Sequence, residues 1–213
     1  MSPRAILFAA VAVLVLAAPR GSRAVDETAG QERLGVRVGG VSAFDGLDDK
    51  YGGGWDLTLF FTEKVASRLL LDIRLGAIYL GDLKDLELDD EITGTPGIQS
   101  AMRMLYFSVG PLLGVSLGSA YSAYASAGVG VYSVSMEFDS GVTAFDFSDQ
   151  HVGFSGGIGL SRRLSTNWSL EANTTVHYCT IQKESSDLYY AFTDGADAPL
   201  LLGAALGLTV DLR

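Results

Sequence analysis

Cys179 is the only cysteine in the 213-residue chain, and His177 stands two residues before it. A histidine beside a thiol could act as the general base for a nucleophile, with Glu184 as the carboxylate that orients the ring. The same residues could bind a metal, but His151 is the only other histidine, so the sequence offers no histidine cluster. We therefore predict no catalytic residue, no metal and no cofactor, and expect His177 and Cys179 to lie on the polar face of a strand.

The acidic segment 82–91, DLKDLELDDE, is a second candidate for chemistry. Carboxylate oxygens are the ligands that divalent cations such as calcium prefer, although the spacing is not that of a calcium-binding loop. The simpler interpretation is a solvated loop whose like charges repel one another. The residues of the predicted cation-binding loop are Asp82, Asp85, Glu87, Asp89, Asp90 and Glu91.

Charged residues also occur singly inside apolar stretches of the chain. A buried charge without a partner costs several kcal/mol, so we expect these side chains to pair with one another. The alternative is that they line a narrow polar passage. The predicted charge network comprises Arg37, Asp56, Asp72, Arg74 and Glu171.

Strands must position these side chains, because apolar residues recur at every second position and not at helical spacing. The stretch WSLEANTTVHY, residues 168–178, alternates between an apolar and a polar face throughout. Most such segments exceed a usual globular strand and have the length of a tilted membrane strand. Pro111 falls inside the fourth segment, where we expect a local bulge. The eight predicted strands cover residues 33–44, 54–63, 68–80, 103–117, 120–137, 150–163, 168–181 and 200–212.

The first 24 residues are predicted to be a cleaved signal peptide. Arg4 precedes an apolar run over residues 5–18 that is too short to span a membrane, and small residues follow before a cleavage site after Ala24. Residues 25–213 are expected to form one domain. Three of the 15 Lys and Arg residues lie in the signal peptide, so the domain keeps 12 against 25 Asp and Glu, and nucleic acid is not an expected partner.

The connections between the predicted strands alternate in length. Short turns on one side and long loops on the other are typical of an antiparallel up-and-down barrel that spans an outer membrane. With an even number of strands, both ends of the barrel domain fall on the side of the short turns. The short connections lie around 62–67, 118–119 and 165–167, and the long ones around 45–53, 81–102, 138–149 and 182–199.

Glycine and serine on the polar faces indicate which side of the sheet points outward. A strand face exposed to water normally carries larger polar residues, whereas small residues fit the interior of a narrow barrel. We therefore expect the apolar face to meet lipid, with a soluble ligand-binding barrel of the opposite orientation as the alternative. The small residues on the polar face include Gly128, Gly130, Ser155, Gly157, Gly159, Gly203 and Gly207.

Aromatic residues recur near the predicted strand ends. Such rings prefer the interface between lipid and water and form girdles around membrane barrels. The predicted girdle residues are Trp55, Phe61, Tyr79, Phe107, Tyr121, Phe154, Trp168 and Tyr178.

Over about residues 31–213 the sequence resembles the small outer-membrane β-barrel superfamily that includes the OmpA transmembrane domain and OmpX. Two units of turn and strand carry the resemblance, FFTEKVASRLLLDIRLG at 60–76 and LSRRLSTNWSLEANTTVHY at 160–178. It implies an eight-stranded transmembrane barrel in the bacterial outer membrane, assembled by the outer-membrane insertion machinery. The chain departs from the pattern at Arg213, where such proteins commonly end in the aromatic residue that this machinery reads.

These observations predict a structural or surface-interaction protein that acts through acidic extracellular loops and has no enzymatic activity. The expected partners are outer-membrane lipids, lipopolysaccharide, whose phosphates could share cations with the acidic segment, and the insertion machinery. The alternatives are a small-solute pore or transporter, a lipid A-modifying enzyme and a soluble periplasmic barrel. The enzyme is considered because His177-Tyr178-Cys179 resembles the His-x-Ser motif of lipid A deacylases, which are eight-stranded barrels.

Overall fold

The computed structural model describes residues 32–44, 53–81, 99–139, 144–179 and 200–212. These residues form eight strands that follow one another in chain order around a closed barrel, and all neighbouring strands are antiparallel. The first strand pairs with the last, which leaves no open sheet edge. The predicted eight-stranded antiparallel barrel is confirmed. Its strands are β1 (Glu32–Phe44), β2 (Gly54–Lys64), β3 (Leu69–Leu80), β4 (Gln99–Ser116), β5 (Tyr121–Asp139), β6 (Ala144–Arg163), β7 (Trp168–Cys179) and β8 (Leu200–Leu212).

Three tight turns join strands at one end of the barrel, which we call the turn end. Backbone hydrogen bonds close them, such as the one that Leu164 N donates to the Trp168 carbonyl at 2.8 Å. In the middle turn, Gly118 adopts a φ of 126°, a conformation that residues with a Cβ rarely adopt. β1 begins and β8 ends at the turn end as well, as expected for an even number of strands. The turns occupy residues 65–68, 117–120 and 164–167.

The connections at the opposite end of the barrel, which we call the loop end, fall outside the described residues. The acidic segment 82–91 lies there, and so its predicted cation binding stays a prediction. The predicted signal peptide, residues 1–24, also lies outside the described residues. Within the described part of the chain, no helix is long and apolar enough to cross a membrane.

Side chains alternate between the outer and inner faces of the barrel, and the outer face is apolar. On β8, Leu206 is 61% exposed on the outer face, whereas Thr209 on the inner face is 1% exposed. On β3, Leu71 and Ile73 occupy outer positions on either side of the buried Asp72. This is the orientation expected for a barrel surrounded by lipid, and it is the reverse of the soluble barrel considered as an alternative.

β4, β5 and β6 extend farther toward the loop end than predicted. β6 begins at Ala144 and not at residue 150, and β5 continues to Asp139 opposite it, so most of the long loop predicted over 138–149 is strand. The exposed residue at position 150 is a glutamine. Apolar and polar residues also alternate over 145–148, FDFS, so the strand pattern extends into the added part of β6.

Pro111 interrupts the ladder between β4 and β5 without changing its register. Val109 pairs with Val129 and Leu112 pairs with Ser126, so equal numbers of residues separate the two pairs on both strands. A bulge would place unequal numbers there, and the predicted bulge is therefore wrong. Proline has no N–H to donate, and the sheet accommodates it by omitting two ladder pairs.

Aromatic side chains lie on the outer face near both ends of the barrel. At the loop end, the rings of Trp55 and Tyr79 stack with their centres 5.9 Å apart. Trp168 begins β7 at the turn end. These positions suit the two lipid–water interfaces. Phe107 and Phe154 instead lie near the middle of β4 and β6, because these strands extend farther than predicted.

Candidate functional site

The five residues of the predicted charge network are all buried in the lumen of the barrel. One ion pair joins Arg37 on β1 to Glu171 on β7: Arg37 Nη2 donates to Glu171 Oε2 at 2.8 Å, and Nε donates to the same oxygen at 3.1 Å. β8 lies between these strands, and its Gly207 is the register partner of both residues. A Cβ at Gly207 would lie 2.6 Å from Arg37 Cγ, so the missing side chain lets the guanidinium reach across β8.

Two aromatic rings enclose the Arg37 guanidinium. Its Cζ atom lies 3.7 Å from the centre of the Phe60 ring and 5.5 Å from that of Tyr124. The Tyr124 hydroxyl also donates to Glu171 Oε2 at 3.2 Å. Contacts of this kind offset part of the desolvation cost of a buried ion pair. Side chains from β1, β2, β5 and β7 therefore hold the pair in one arrangement.

The other three charges form a second ion pair and a hydroxyl-bonded carboxylate. Arg74 and Asp72, two residues apart on the inner face of β3, are joined by a hydrogen bond from Arg74 Nε to Asp72 Oδ2 at 2.7 Å and by a second bond from Nη2. Asp56 accepts hydrogen bonds from Thr58 Oγ1 at 3.2 Å. The Thr58 hydroxyl in turn bonds to the Tyr106 hydroxyl at 2.6 Å.

His177 lies beside two stacked tyrosines and away from lipid. Its Nδ1 atom is 3.1 Å from the Tyr132 hydroxyl, and its ring centre is 4.9 Å from that of Tyr106. Within the described residues, His177 Nε2 has no hydrogen-bond partner. Cys179 is buried one step nearer the loop end, among apolar side chains. The surroundings of this histidine and cysteine are therefore less polar than the predicted polar lining.

Apolar side chains fill the lumen at the loop end, and we call this group the apolar plug. Leu80 and Met102 have no exposed surface, and Leu201 is 1% exposed. This plug was not predicted from the sequence, although runs with apolar residues on both strand faces, such as AIYL at 77–80, indicate it. The plug consists of Val41, Ala43, Ile78, Leu80, Met102, Met104, Val134, Cys179 and Leu201, above the rings of Tyr106 and Tyr132.

A cavity of about 310 Å³ occupies the lumen at the turn end, and we call it the vestibule. Small residues of β4, β5 and the turn between them, such as Gly114 and Ser122, leave this space open. Arg37 and Glu171 are part of its lining, so the ion pair lies at the boundary between the vestibule and the filled part of the lumen. The charged residues of its wall are Arg33, Arg37, Lys64, Arg68, Arg163 and Glu171.

The lumen therefore changes in character along the barrel. It is open and basic at the turn end, ionic and aromatic in the middle, and apolar at the loop end. In the part of the chain that the structure describes, no three His, Cys, Asp or Glu side chains come together as metal ligands. The arrangement can hold an ion or small solute at the turn end, whereas the plug obstructs passage to the loop end.

Comparison with known proteins agrees with this architecture. A model of the outer membrane protein β-barrel domain matches residues 7–207. Ail, the attachment invasion locus protein of Yersinia pestis, is 12% identical with a TM-score of 0.54, and the match covers 87% of this chain and 100% of Ail. Neisserial surface protein A is 12% identical with a TM-score of 0.56, covering 85% of this chain and 97% of that one.

A major outer membrane protein from Thermus thermophilus is 19% identical with a TM-score of 0.55, and the match covers 85% of this chain and 99% of that one. No curated protein matches the sequence. At these identities, the likeness to the three solved structures shows the fold alone.

Proposed function

Because the chain belongs to the outer membrane protein β-barrel domain family, we propose that it is a closed membrane anchor that presents its loop-end connections at the bacterial surface. In this proposal it interacts with external partners through these connections and catalyses no reaction. Outer-membrane lipids surround its outer face, lipopolysaccharide meets the loop end, and the outer-membrane insertion machinery assembles it.

The apolar plug is the observation that carries this proposal. Leu80, Met102 and Leu201 come from β3, β4 and β8, and they bury almost their entire surface against one another and their neighbours. Moving an ion through such a layer would require it to give up its hydration without compensating polar contacts. A barrel of this kind anchors loops but does not conduct.

The names of two structurally similar proteins support a role at the cell surface. Ail is described as an attachment invasion locus protein, and the neisserial relative as a surface protein. Both share the eight-stranded frame with this chain at low identity, and so the surface role is carried over as a proposal. The acidic loops that would mediate it, including residues 82–91, fall outside the described residues.

Planar-bilayer recording tests the closed barrel. We expect no unitary current steps from the folded protein, and steady steps would overturn the proposal. A variant that trims the plug, Leu80→Ala with Met102→Ala and Leu201→Ala, is the positive control, because it opens space in the layer that blocks the lumen. Folding of both proteins is checked by electrophoresis in SDS, where a folded barrel migrates faster before boiling than after it.

A small-solute pore is the competing proposal, and the vestibule is the observation that favours it. The cavity already provides a polar entrance at the turn end, with the Arg37–Glu171 pair at its inner boundary. In this case wild-type protein would conduct, and substitution of Arg37 or Glu171 would change its ion selectivity.

Lipid A modification receives no support from the position of His177. A lipid-processing residue must reach the outer face, whereas His177 is 2% exposed and contacts Tyr106 and Tyr132 inside the lumen. We expect mass spectra of lipid A from cells that produce wild-type protein, His177→Ala protein or no protein to be identical. A change in lipid A that depends on His177 would restore the enzyme proposal.

A further inference from the structure

The vestibule wall is rich in basic residues, although the chain as a whole is acidic. Outside the first 24 residues, 25 acidic residues outnumber 12 basic ones. Glu171 is the only acidic residue in the vestibule wall as the structure describes it. The wall nevertheless holds five of the 12 basic residues, which are Arg33, Arg37, Lys64, Arg68 and Arg163.

Neighbouring carboxylates neutralise only part of this charge. Arg33 Nε lies 2.9 Å from Asp211 Oδ1, and Arg37 pairs with Glu171. Arg68 and Arg163 are exposed at the rim of the cavity. Among the described residues, no carboxylate forms an ion pair with either guanidinium. The rim therefore presents two guanidinium groups to whatever enters the vestibule.

We propose that the vestibule binds a dissolved anion that carries phosphate, with Arg68 and Arg163 as its direct ligands. The planar guanidinium group matches the spacing of phosphate oxygens and donates two hydrogen bonds to them. The low-dielectric walls of a narrow cleft focus the positive potential of its charges on its interior. The volume of about 310 Å³ falls at the lower end of the range for small-molecule sites, which suits a pyrophosphate or a sugar phosphate.

Phosphate groups reach the turn end from two sources, dissolved compounds and the headgroups of phospholipids. The vestibule lies in the lumen and opens between the turns, whereas lipid headgroups surround the outer face. This position favours the dissolved anion. The site goes beyond the proposed role as an anchor, because it faces the opposite end of the barrel from the surface loops.

Arg162 and Arg163 provide a matched pair of positions for the test. They are adjacent in β6 and both exposed, but strand alternation places Arg163, which lines the vestibule, on the inner face and Arg162 on the outer face, with its guanidinium 5.7 Å from the centre of the Tyr121 ring. Arg162→Gln and Arg163→Gln therefore remove the same charge at the same height of the barrel, one outside the lumen and one inside it.

Calorimetric titration of the full chain, folded in a non-ionic maltoside detergent, with inorganic pyrophosphate tests the site. We expect saturable binding that weakens as salt is added. Arg68→Gln and Arg163→Gln should each weaken it by about tenfold or more, because each removes a charged hydrogen-bonding ligand. Arg162→Gln should change it less than about twofold. The folded state of each variant is checked by its mobility in SDS before and after boiling.

Three outcomes would overturn the proposal. The first is the absence of saturable heat, and the second is equal weakening by Arg162→Gln and Arg163→Gln, which would show attraction by net charge alone. The third concerns the source of the phosphate. If the protein retains phosphatidylglycerol from mixed vesicles with phosphatidylcholine in a manner that depends on Arg163, and does not bind pyrophosphate, then the ligand is a lipid headgroup.

Discussion

A buried ion pair depends on both of its members, and the Arg37–Glu171 pair shows why at the scale of single residues. The two side chains reach each other only because Gly207 carries no side chain between them. Phe60 and Tyr124 then enclose the guanidinium. If one charge is removed, the other stays buried without compensation, which costs more than the intact pair contributes.

We therefore predict that Glu171→Gln lowers the free energy of unfolding by about 3–5 kcal/mol. The measurement is urea unfolding in phosphatidylcholine vesicles, followed by the fluorescence of Trp55 and Trp168. Glu63→Gln, at an exposed position of β2, is the control and should cost less than about 1 kcal/mol. Combining Glu171→Gln with Arg37→Met should recover part of the loss, because no unpaired charge then remains. Equal losses for the two glutamine variants would contradict this account.

The placement of these charges follows from the sequence, but their pairing does not. Period-two alternation assigns Arg37 and Glu171 to the face opposite their apolar neighbours. Whether they meet depends on the register of β1 and β7 against β8, and register is set by the geometry of the whole closed sheet. Asp56 illustrates the limit, because it belongs to the same face but bonds to the hydroxyl of Thr58.

At the scale of strands, aromatic rings from a neighbouring strand cover several glycines on the inner face. Gly76 on β3 is the register partner of Tyr106 on β4, and a Cβ built on this glycine would overlap the tyrosine ring. The sequence indicates that the inner face needs small residues because the barrel is narrow. The structure identifies the aromatic rings that occupy the space beside these glycines. The other glycines covered in this way are Gly35 by Phe60, Gly153 by Tyr132 and Gly159 by Tyr124.

Two glycines on the inner face should respond differently to substitution by alanine. Gly76→Ala should destabilise the barrel by about 1–3 kcal/mol, because the Tyr106 hydroxyl is bonded to Thr58 and its ring cannot move freely. At Gly114 the nearest atom to a new Cβ would be Leu70 Cδ1 at 3.8 Å. Gly114→Ala should therefore be neutral or stabilise the barrel by up to about 1 kcal/mol, because alanine lowers the conformational entropy of the unfolded chain. Urea unfolding in vesicles measures both, and equal destabilisation would contradict the role assigned to the ring.

The strands themselves differ in how well the sequence predicts them. β1, β3 and β8 lie almost entirely where alternation places them, because lipid on one side and the lumen on the other impose the period over their full length. β6 begins six residues before its predicted start at 150, although apolar and polar residues alternate there as well in FDFS at 145–148. Side-chain alternation also fails to predict the apolar plug, because the strands that form it carry apolar residues on the inner face as well as on the outer face.

At the scale of the whole molecule, what an exposed side chain contacts depends on its position along the barrel axis. Leu206, in the middle of β8, and Val65, in a turn at the turn end, are 61% and 62% exposed. In a protein surrounded by water, a charge would be tolerated equally at two such positions. In an outer-membrane barrel, the first position faces hydrocarbon and the second lies at the interface with water.

Arginine at these two positions therefore tests the orientation on which every assignment in the lumen depends. Leu206→Arg should lower the free energy of unfolding in phosphatidylcholine vesicles by about 2–4 kcal/mol, and Val65→Arg by about 0–1 kcal/mol, since the cost of a charge on the lipid face falls toward the interface. The difference should shrink in bilayers of shorter acyl chains, because these bring Leu206 nearer the interface. Equal costs for the two variants would mean that the apolar outer face does not meet lipid.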